Sequence, residues 1–330
     1  MLFLTFFSFF LKNHHYYHIL LINFISKIFL LNILYTNISY LKFFLFLKEI
    51  LPFFFCHDKI IFLFFQEIPG CSTCVNFGRD VLTHPLMVET IENEFIPLAI
   101  HNNKSGKDAA ILAKYNEPAW NNPVVHFVNS KGEDIISKLT NNYDPLDMYS
   151  QIVEVLLMTK GTIPEYVKLL GNDLKIDFNY SKKTIYETPC FWSGETTMAQ
   201  HKAVYTTLPG FIGNREVVAI DFDTNMTSLK EMDDYAKEQG FFLINNHSAF
   251  KVDKDPQYYL KKTNYKFLPL SKTQRSKINL AIPYKINPEQ YLSPKQLYWL
   301  YHKDLNSLSH PKAYELDIAQ SWDFLNNEIK

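Results

Sequence analysis

IIFLFFQEIPGCSTC, residues 60–74, carries the strongest structural signal in this 330-residue chain. The continuous apolar run at 60–65 predicts a strand that is buried on both faces of a sheet. Pro69-Gly70 ends this run, and Cys71 and Cys74 open a segment with apolar residues at helical spacing. A thiol at a helix N-terminus lies at the positive end of the helix dipole, which favours the thiolate. We therefore predict a redox-active pair rather than a structural disulfide.

The segments after this pair alternate between strand and helix patterns. They are a helix after Cys74, a strand at 95–100, a helix at 108–115, a strand at 124–128, a hairpin return from 134 and a helix from 145. Asn122-Pro123 leads into the third strand, and Asp144-Pro145 begins the last helix, with Gly161 beyond its end. The predicted order is β-α-β-α-β-β-α.

This order, with Cys-x-x-Cys after the first strand and Pro123 before the third, resembles the thioredoxin fold over residues 58–160. The resemblance implies that Cys71 is the exposed, attacking thiol and that Cys74 resolves the mixed disulfide. It also implies that Pro123 is cis and faces the pair at the substrate-binding surface. Ser72-Thr73 stands where typical thioredoxins have Gly-Pro, so the redox potential is left open. Zinc is the alternative for such a pair, but no second pair stands nearby, and we predict no metal.

A second cysteine motif, TPCFWSGE at 188–195, follows a predicted linker at 161–183. Gly171-Asn172 favours a break there, after one short helix at 165–170. Cys190 lies between a strand at 184–186 and a helical segment, so it combines a nucleophile with an aromatic wall. The remaining patterns of this region are a Gly-rich turn at 206–214, a strand at 216–223 and a helix capped by Ser228.

These pieces resemble the A-type methionine sulfoxide reductases over residues 184–275. The family pattern Gly-Cys-Phe-Trp-Gly-x-Glu matches 190–195, and its Gly-rich turn matches 210–213. A strand that opens with Glu matches 216–223, and an Asp-x-x-x-Gln-Tyr motif matches 253–258. Within the first motif, Glu195 has a simpler interpretation as an acidic residue at the start of a helix.

The resemblance implies a role for each chemical residue. Cys190 would attack the sulfoxide sulfur as a thiolate and become a sulfenic acid. Glu216 would protonate the departing oxygen, for which it needs a raised pKa. Tyr258 and Asp253 would orient the sulfoxide oxygen and the attacking water.

The aromatic residues of this region would hold the S-methyl group of the substrate. They are Phe191, Trp192 and, in the Gly-rich turn, Phe211. The chain departs from the family pattern where Pro189 replaces the Gly before the nucleophile and where Phe211 replaces a tyrosine whose phenol touches the substrate. The loop before Glu216 is also shorter than usual. These departures leave open whether the site still reduces sulfoxides.

Cys190 is the last cysteine in the chain, yet a sulfenic acid needs a second thiol to resolve it. Cys71 and Cys74 are the candidates within the two predicted domains, so we predict an internal reductant. An external thioredoxin is the alternative partner, and the expected substrate is oxidised methionine, free or in proteins. We expect no cofactor beyond a thiol reductant, and the net charge of −1 gives no indication of nucleic acid binding.

Residues 1–57 contain no Gly, Ala or Val and are dominated by Phe, Leu, Ile, Tyr, Asn, Lys and His. Three interpretations stay open: a signal anchor around 18–40, a buried helical extension, or the translation of AT-rich, non-coding DNA. The location would be cytoplasmic if the segment is not genuine and membrane-anchored or exported if it is. His126 shows no ligand spacing and is predicted to be a surface or packing residue.

The sequence therefore predicts an α/β thioredoxin-like domain at 58–160 and an α+β, ferredoxin-like domain of the methionine sulfoxide reductase type at 184–330, with helices at its C-terminus. The predicted function is thiol-dependent reduction of methionine-S-sulfoxide. The alternative is a thioredoxin-like disulfide reductase whose second domain binds partners without catalysis. A non-enzymatic, membrane-tethered interaction protein is the third interpretation, favoured only if residues 1–57 are genuine.

Overall fold

The computed structural model describes residues 60–67, 69–302 and 316–328. These residues belong to one compact unit, Lys59–Lys330. The apolar segment 1–57 lies outside the described residues, so its three interpretations stay predictions. In the described part of the chain, no helix is both long enough and apolar enough to cross a membrane.

The first half contains a four-stranded sheet. Its elements are, in chain order, β1 (Ile61–Gln66), α1 (Ser72–Val81), α2 (Pro85–Glu94), β2 (Ile96–His101), α3 (Lys107–Lys114), β3 (Val124–Val128), β4 (Leu139–Thr140) and α4 (Pro145–Lys160). The strand order is β2-β1-β3-β4. Strand β1 is parallel to β2 and antiparallel to β3, and β3 is antiparallel to β4. This strand order is that of the thioredoxin fold, so the predicted fold class is confirmed.

The apolar run in β1 is explained by burial on both faces of the sheet. Phe62 packs in one cluster with Phe77, whereas Leu63 and Phe65 pack on the opposite face with Leu112. Alternating side chains of a strand point to opposite faces, and a strand covered on both sides is therefore apolar throughout.

The last helix of this half begins where the sequence predicted, whereas the paired strand of the hairpin return begins later than predicted. The return begins with an isolated bridge between Val128 and Asp134, and the paired strand β4 follows only at Leu139–Thr140. Helix α4 begins as predicted, because the Asp144 side chain accepts the backbone N–H of Leu146.

The second half contains a five-stranded antiparallel sheet. Its elements are β5 (Ser181–Glu187), α6 (Phe191–Ala199), β6 (Val204–Ile212), β7 (Arg215–Asp223), α7 (Leu229–Glu238), β8 (Phe242–Ile244) and β9 (Lys251–Val252). The strand order is β8-β5-β7-β6-β9. Without the short edge strand β9, the fourth strand lies beside the first and the third beside the second. This is the β-α-β-β-α-β ferredoxin-like arrangement that the sequence predicted.

Helices α6 and α7 cover one face of this sheet. Val218 and Phe222 of β7 pack in a cluster with Phe191 of α6 and Met232 of α7. Val217, one residue before Val218, belongs to a separate cluster on the other face. Because Glu216 has the same parity as Val218, its side chain lies on the helix-covered face.

The predicted linker contains a longer helix than the sequence indicated. Helix α5 (Glu165–Asp177) continues through Gly171, and its inner residues, among them Leu170 and Leu174, are buried. A Cβ atom at Gly171 would come within 2.4 Å of the Tyr149 ring, so this glycine allows the close packing of α4 and α5. Gly171 was predicted to end a helix, but in the structure it is needed for the packing of two helices.

The helices after the second sheet pack on the first half of the chain. They are α8 (Lys272–Ala281), α9 (Pro294–His302) and α10 (Ile318–Glu328). Ile278, Trp299 and Trp322 from these helices share a core cluster with Leu86 and Leu156 of the thioredoxin-like part. The predicted boundaries at 160 and 184 stay predictions, but the C-terminal helices stabilise both halves.

Two candidate cysteine sites

Cys71 and Cys74 lie at the start of α1, where β1 ends. Cys71 is the N-cap residue, and its sulfur accepts the backbone N–H of Cys74 at 3.0 Å. Both thiols are free; Cys71 is partly exposed, whereas Cys74 is only 1% exposed. Cys71 therefore has the exposure and the contact expected of the attacking thiol.

Cys74 is held as a neutral thiol. Burial, assisted by the neighbouring Cys71 side chain, raises the pKa of Cys74 to about 12. Its sulfur donates to Asn122 Oδ1 at 3.1 Å. A protonated, buried second thiol fits a resolving role, in which it is deprotonated only when it attacks the mixed disulfide.

The loop before β3 faces this pair through Asn122. The peptide bond between Asn122 and Pro123 is cis, and the Asn122 carbonyl oxygen lies 4.0 Å from the Cys71 sulfur. Pro123 itself is buried. Both contacts of this loop with the sulfurs come from Asn122. Trp120, on the same loop, is 80% exposed.

A network of ionisable side chains, centred on the buried His126 and Glu117, supports this loop. His126 of β3 is buried; its Nε2 lies 3.2 Å from Glu117 Oε1 and its Nδ1 lies 2.8 Å from Asp134 Oδ1. Glu117 also accepts from Asn121 Nδ2 at 2.9 Å and from Lys138. Burial alone would raise the pKa of Glu117, but these hydrogen bonds outweigh it and hold the pKa below its usual value. The sequence indicated only a packing role for His126, because nothing local shows that the two carboxylates converge on it.

Cys190 occupies the second site, at the N-cap position of α6, and is partly exposed. Glu216 lies beside it: its Oε2 accepts the backbone N–H of Phe191 at 3.0 Å, and its carbonyl oxygen accepts the N–H of Thr188 at 2.9 Å. The register of β6 and β7 places Phe211 directly opposite Glu216. The structure thus brings together a thiol, a carboxyl group and an aromatic residue from three separate segments.

An aromatic wall lines this second site. The Phe191 ring makes edge contacts with Phe211 and Trp192, with centroids 5.1 and 5.6 Å apart. Trp192 stacks on Tyr258 at 4.1 Å. The ring of Tyr258 therefore contributes to the wall, although the motif that contains it lies more than 60 residues after Trp192 in the sequence.

Asp253 lies at the edge of this group. It follows β9, and its backbone N–H donates to the carbonyl of Pro209 at 2.9 Å. Its Oδ2 accepts the N–H of Asp255 at 3.0 Å, which commits that oxygen to a local turn. The predicted role of Asp253 in orienting water stays a prediction. Gly210 allows the approach of this segment, because a Cβ there would lie 2.4 Å from the carbonyl oxygen of Lys251.

Glu195 has a different environment from the one its position suggests. Its side chain is fully buried on α6, and it accepts from Asn279 Nδ2 at 3.4 Å. Burial raises the pKa of Glu195 well above its usual range, against the opposing effect of the backbone amides of Gln257 and Tyr258. It is therefore a link between α6 and the Tyr258 segment rather than a solvated acid at the start of a helix.

The two cysteine sites have separate surroundings. Among the described residues, the hydrogen-bond partners of the Cys71 and Cys74 sulfurs are one another, Glu67 and Asn122. None of these touches Glu216 or the aromatic wall in the contacts described above. Over the same part of the chain, no group of three or more His, Cys, Asp or Glu residues is arranged to hold a metal ion.

Comparisons with models of protein families and with curated protein sequences find no match. Among solved structures, a thioredoxin from Thermus thermophilus is 17% identical, with a TM-score of 0.27, over 31% of this chain and 78% of that one. A DsbH oxidoreductase is 16% identical, with a TM-score of 0.26, over 31% of this chain and 74% of that one. The fold assignment rests on the strand order and register described above, not on these scores.

Proposed function

We propose that this protein is a thiol-dependent oxidoreductase in which Cys190 reduces methionine-S-sulfoxide and the Cys71–Cys74 dithiol supplies the electrons. The observation that carries the proposal is the contact between the Glu216 carboxylate and the amide of Phe191. A carboxyl group at the first turn of the helix that Cys190 caps, next to aromatic side chains, supports this chemistry.

The Cys190 thiolate attacks the sulfoxide sulfur, and the oxygen receives its proton from Glu216. Methionine leaves as the thioether, and Cys190 becomes a sulfenic acid. The Cys71 thiolate then attacks this sulfur, which forms the Cys190–Cys71 disulfide and releases water. Cys74 attacks Cys71, frees the Cys190 thiol and closes the Cys71–Cys74 disulfide. A dithiol from outside reduces that disulfide and completes the cycle.

The two cysteine sites have separate surroundings, and this matters for the step in which Cys71 attacks the Cys190 sulfenic acid. Cys71 and Cys190 must approach to bonding distance, either within one chain or between two copies. An external thioredoxin would instead act on the Cys190 sulfenic acid directly. The proposal favours Cys71 because its sulfur is partly exposed and accepts an amide N–H, as an attacking thiol requires.

The test is a dithiothreitol-driven assay of methyl sulfoxide reduction with the wild type and Cys190→Ser. We expect activity only in the wild type. No turnover by either protein would refute sulfoxide reduction. A pre-reduced Cys71→Ser, Cys74→Ser protein then tests the electron source in a single turnover, without dithiothreitol or added thiol protein. Recovery of the free Cys190 thiol at the wild-type rate would refute the internal relay.

The second candidate is a disulfide reductase that works through Cys71 and Cys74 alone. The neutral, buried Cys74 beside an exposed Cys71 favours it, since this is the asymmetry that disulfide exchange needs. Reduction of a protein disulfide such as those of insulin, lost in Cys71→Ser and retained in Cys190→Ser, would support this function. It is compatible with a second sheet that only binds partners.

A further inference from the structure

Asn279 lies on α8, outside every motif that the sequence offered for the Cys190 site. Its side chain is 1% exposed. Its Oδ1 accepts two backbone N–H groups, from Tyr259 at 2.9 Å and Leu260 at 3.1 Å, while its Nδ2 donates to Glu195. One amide side chain thus joins three segments: α8, α6 and the chain immediately after Tyr258.

The segment before Tyr259 needs such support. Gln257 is buried and has a φ of 50°, in the left-handed region that non-glycine residues seldom adopt. Such a conformation persists only where the surrounding contacts determine it. Asn279, which accepts the backbone N–H groups of Tyr259 and Leu260, provides such contacts directly after this residue.

The result is a fixed position for the ring of Tyr258. Trp192 stacks on it with a centroid distance of 4.1 Å and an interplanar angle of 15°. The Nζ of Lys262 lies 3.6 Å from the ring centroid and therefore occupies the other face, since the first is covered by Trp192. Cation–π and stacking contacts hold the ring from both sides.

We infer that Asn279 is a positioning residue that holds Tyr258 against Trp192 beside Cys190. The expected effect on catalysis rests on the proposed function of the Cys190 site. The position of the Tyr258 ring can be measured without any activity. Asn279 acts through Tyr258: its loss releases the segment, opens the stack and leaves Cys190 and Glu216 in place.

The test measures acrylamide quenching of Trp192 fluorescence, obtained as the difference between each protein and its Trp192→Phe counterpart. Asn279→Ala is expected to raise the quenching of Trp192 because the stacked ring no longer covers it. The matched control is Ser276→Ala on the same helix. Ser276 Oγ also accepts a buried backbone N–H, that of Thr207 at 3.0 Å, but this amide belongs to β6. The control should lose similar stability and leave Trp192 quenching unchanged.

Sulfoxide reduction provides the second measurement. Asn279→Ala would disrupt the stacking of Trp192 on Tyr258, and the loss of this stacking energy should raise the activation free energy. We therefore expect kcat/KM to fall by about three- to tenfold relative to Ser276→Ala. The loss should vanish in a Tyr258→Ala background, because a residue that acts through Tyr258 has no further effect once that ring is absent. Disulfide reduction by Cys71 and Cys74 should not change.

Equal quenching in Asn279→Ala and Ser276→Ala would overturn the inference. So would an undiminished loss of kcat/KM in the Tyr258→Ala background. Asn279→Asp keeps the acceptor for both amides and serves if the alanine variant does not fold. Trp192 quenching close to that of the wild type supports the positioning role, and quenching unlike the wild type overturns it. A wild type without sulfoxide activity would refute the proposed function, while the quenching comparison would still decide the position of Tyr258.

Discussion

The hydrogen bond from the Cys74 thiol to Asn122 Oδ1 predicts a shift in redox potential when Asn122 is replaced. Only the reduced protein makes this 3.1 Å contact, because a disulfide sulfur has no proton to donate. Asn122→Ala therefore destabilises the dithiol and leaves the disulfide without that loss. The other side-chain bond of Asn122, from Nδ2 to the Ala119 carbonyl at 3.1 Å, involves no sulfur and is expected to cancel between the two states.

The size of the shift follows from the net value of one hydrogen bond. A typical intramolecular hydrogen bond contributes about 1 kcal/mol. For a two-electron couple, 1.4 kcal/mol corresponds to about 30 mV, so the potential of the Asn122→Ala protein should become more negative by about 20 mV. The variant should thus be a slightly stronger reductant.

The assay equilibrates each protein in a series of glutathione redox buffers, traps free thiols by alkylation and measures the oxidised fraction by mass. Asn103→Ala is the matched control, since Asn103 donates to the carbonyl of Pro69 at 3.3 Å and makes no sulfur contact. Its potential should equal that of the wild type. An unchanged or less negative potential in Asn122→Ala would show that the contact does not stabilise the dithiol.

Three further predictions concern other buried or reactive groups. Glu216→Gln should lower the turnover of sulfoxide reduction by about 100-fold or more while its amide oxygen still accepts from Phe191, so an active, equally stable variant would argue against its role as the acid. At pH 8, iodoacetamide should modify Cys71 and spare Cys74, whose pKa is about 12; peptide mapping that finds Cys74 alkylated first would contradict the assignment. Burial raises the pKa of Glu89 from 4.5 to about 7, so its stabilising effect should be complete below pH 4.5 and be lost as the pH rises through 7. Glu89→Gln should then increase the free energy of unfolding at pH 8 by about 3 kcal/mol relative to the wild type, seen as a higher melting temperature. At pH 4 this gain should be absent. Equal differences at both pH values would contradict the reasoning.

Local signals were sufficient to predict most elements, although most of 206–214, interpreted as a Gly-rich turn, belongs to β6, and β8 and β9 were missed. The apolar run of β1, the capping residue Asp144 and the capping box at Ser228 each specify an element through residues that are neighbours in the chain. The arrangement of the strands in each sheet was instead implied by the two family resemblances. These predictions needed no knowledge of distant contacts.

The same reasoning missed groups whose role depends on long-range packing. Burial and ring contacts bear out the packing role, one of two interpretations of His126, but its links to Glu117 and Asp134 were missed. Gly171 was interpreted as the end of a helix, yet it lies within a helix and makes room for the Tyr149 ring. Both errors have one cause: burial and the partner across the fold are not encoded by the nearest residues in sequence.

The sequence by itself determined the two cysteine motifs and the helix caps that carry them, since each depends on residues within one or two turns. Only the tertiary structure decided what surrounds each thiol. The oxygen of Asn122 beside Cys74, the carboxylate of Glu216 beside Cys190 and the fixed ring of Tyr258 come from segments far apart in the chain. Their meeting depends on sheet register and on the packing of α8, and these are set by the burial of apolar surface over the whole fold.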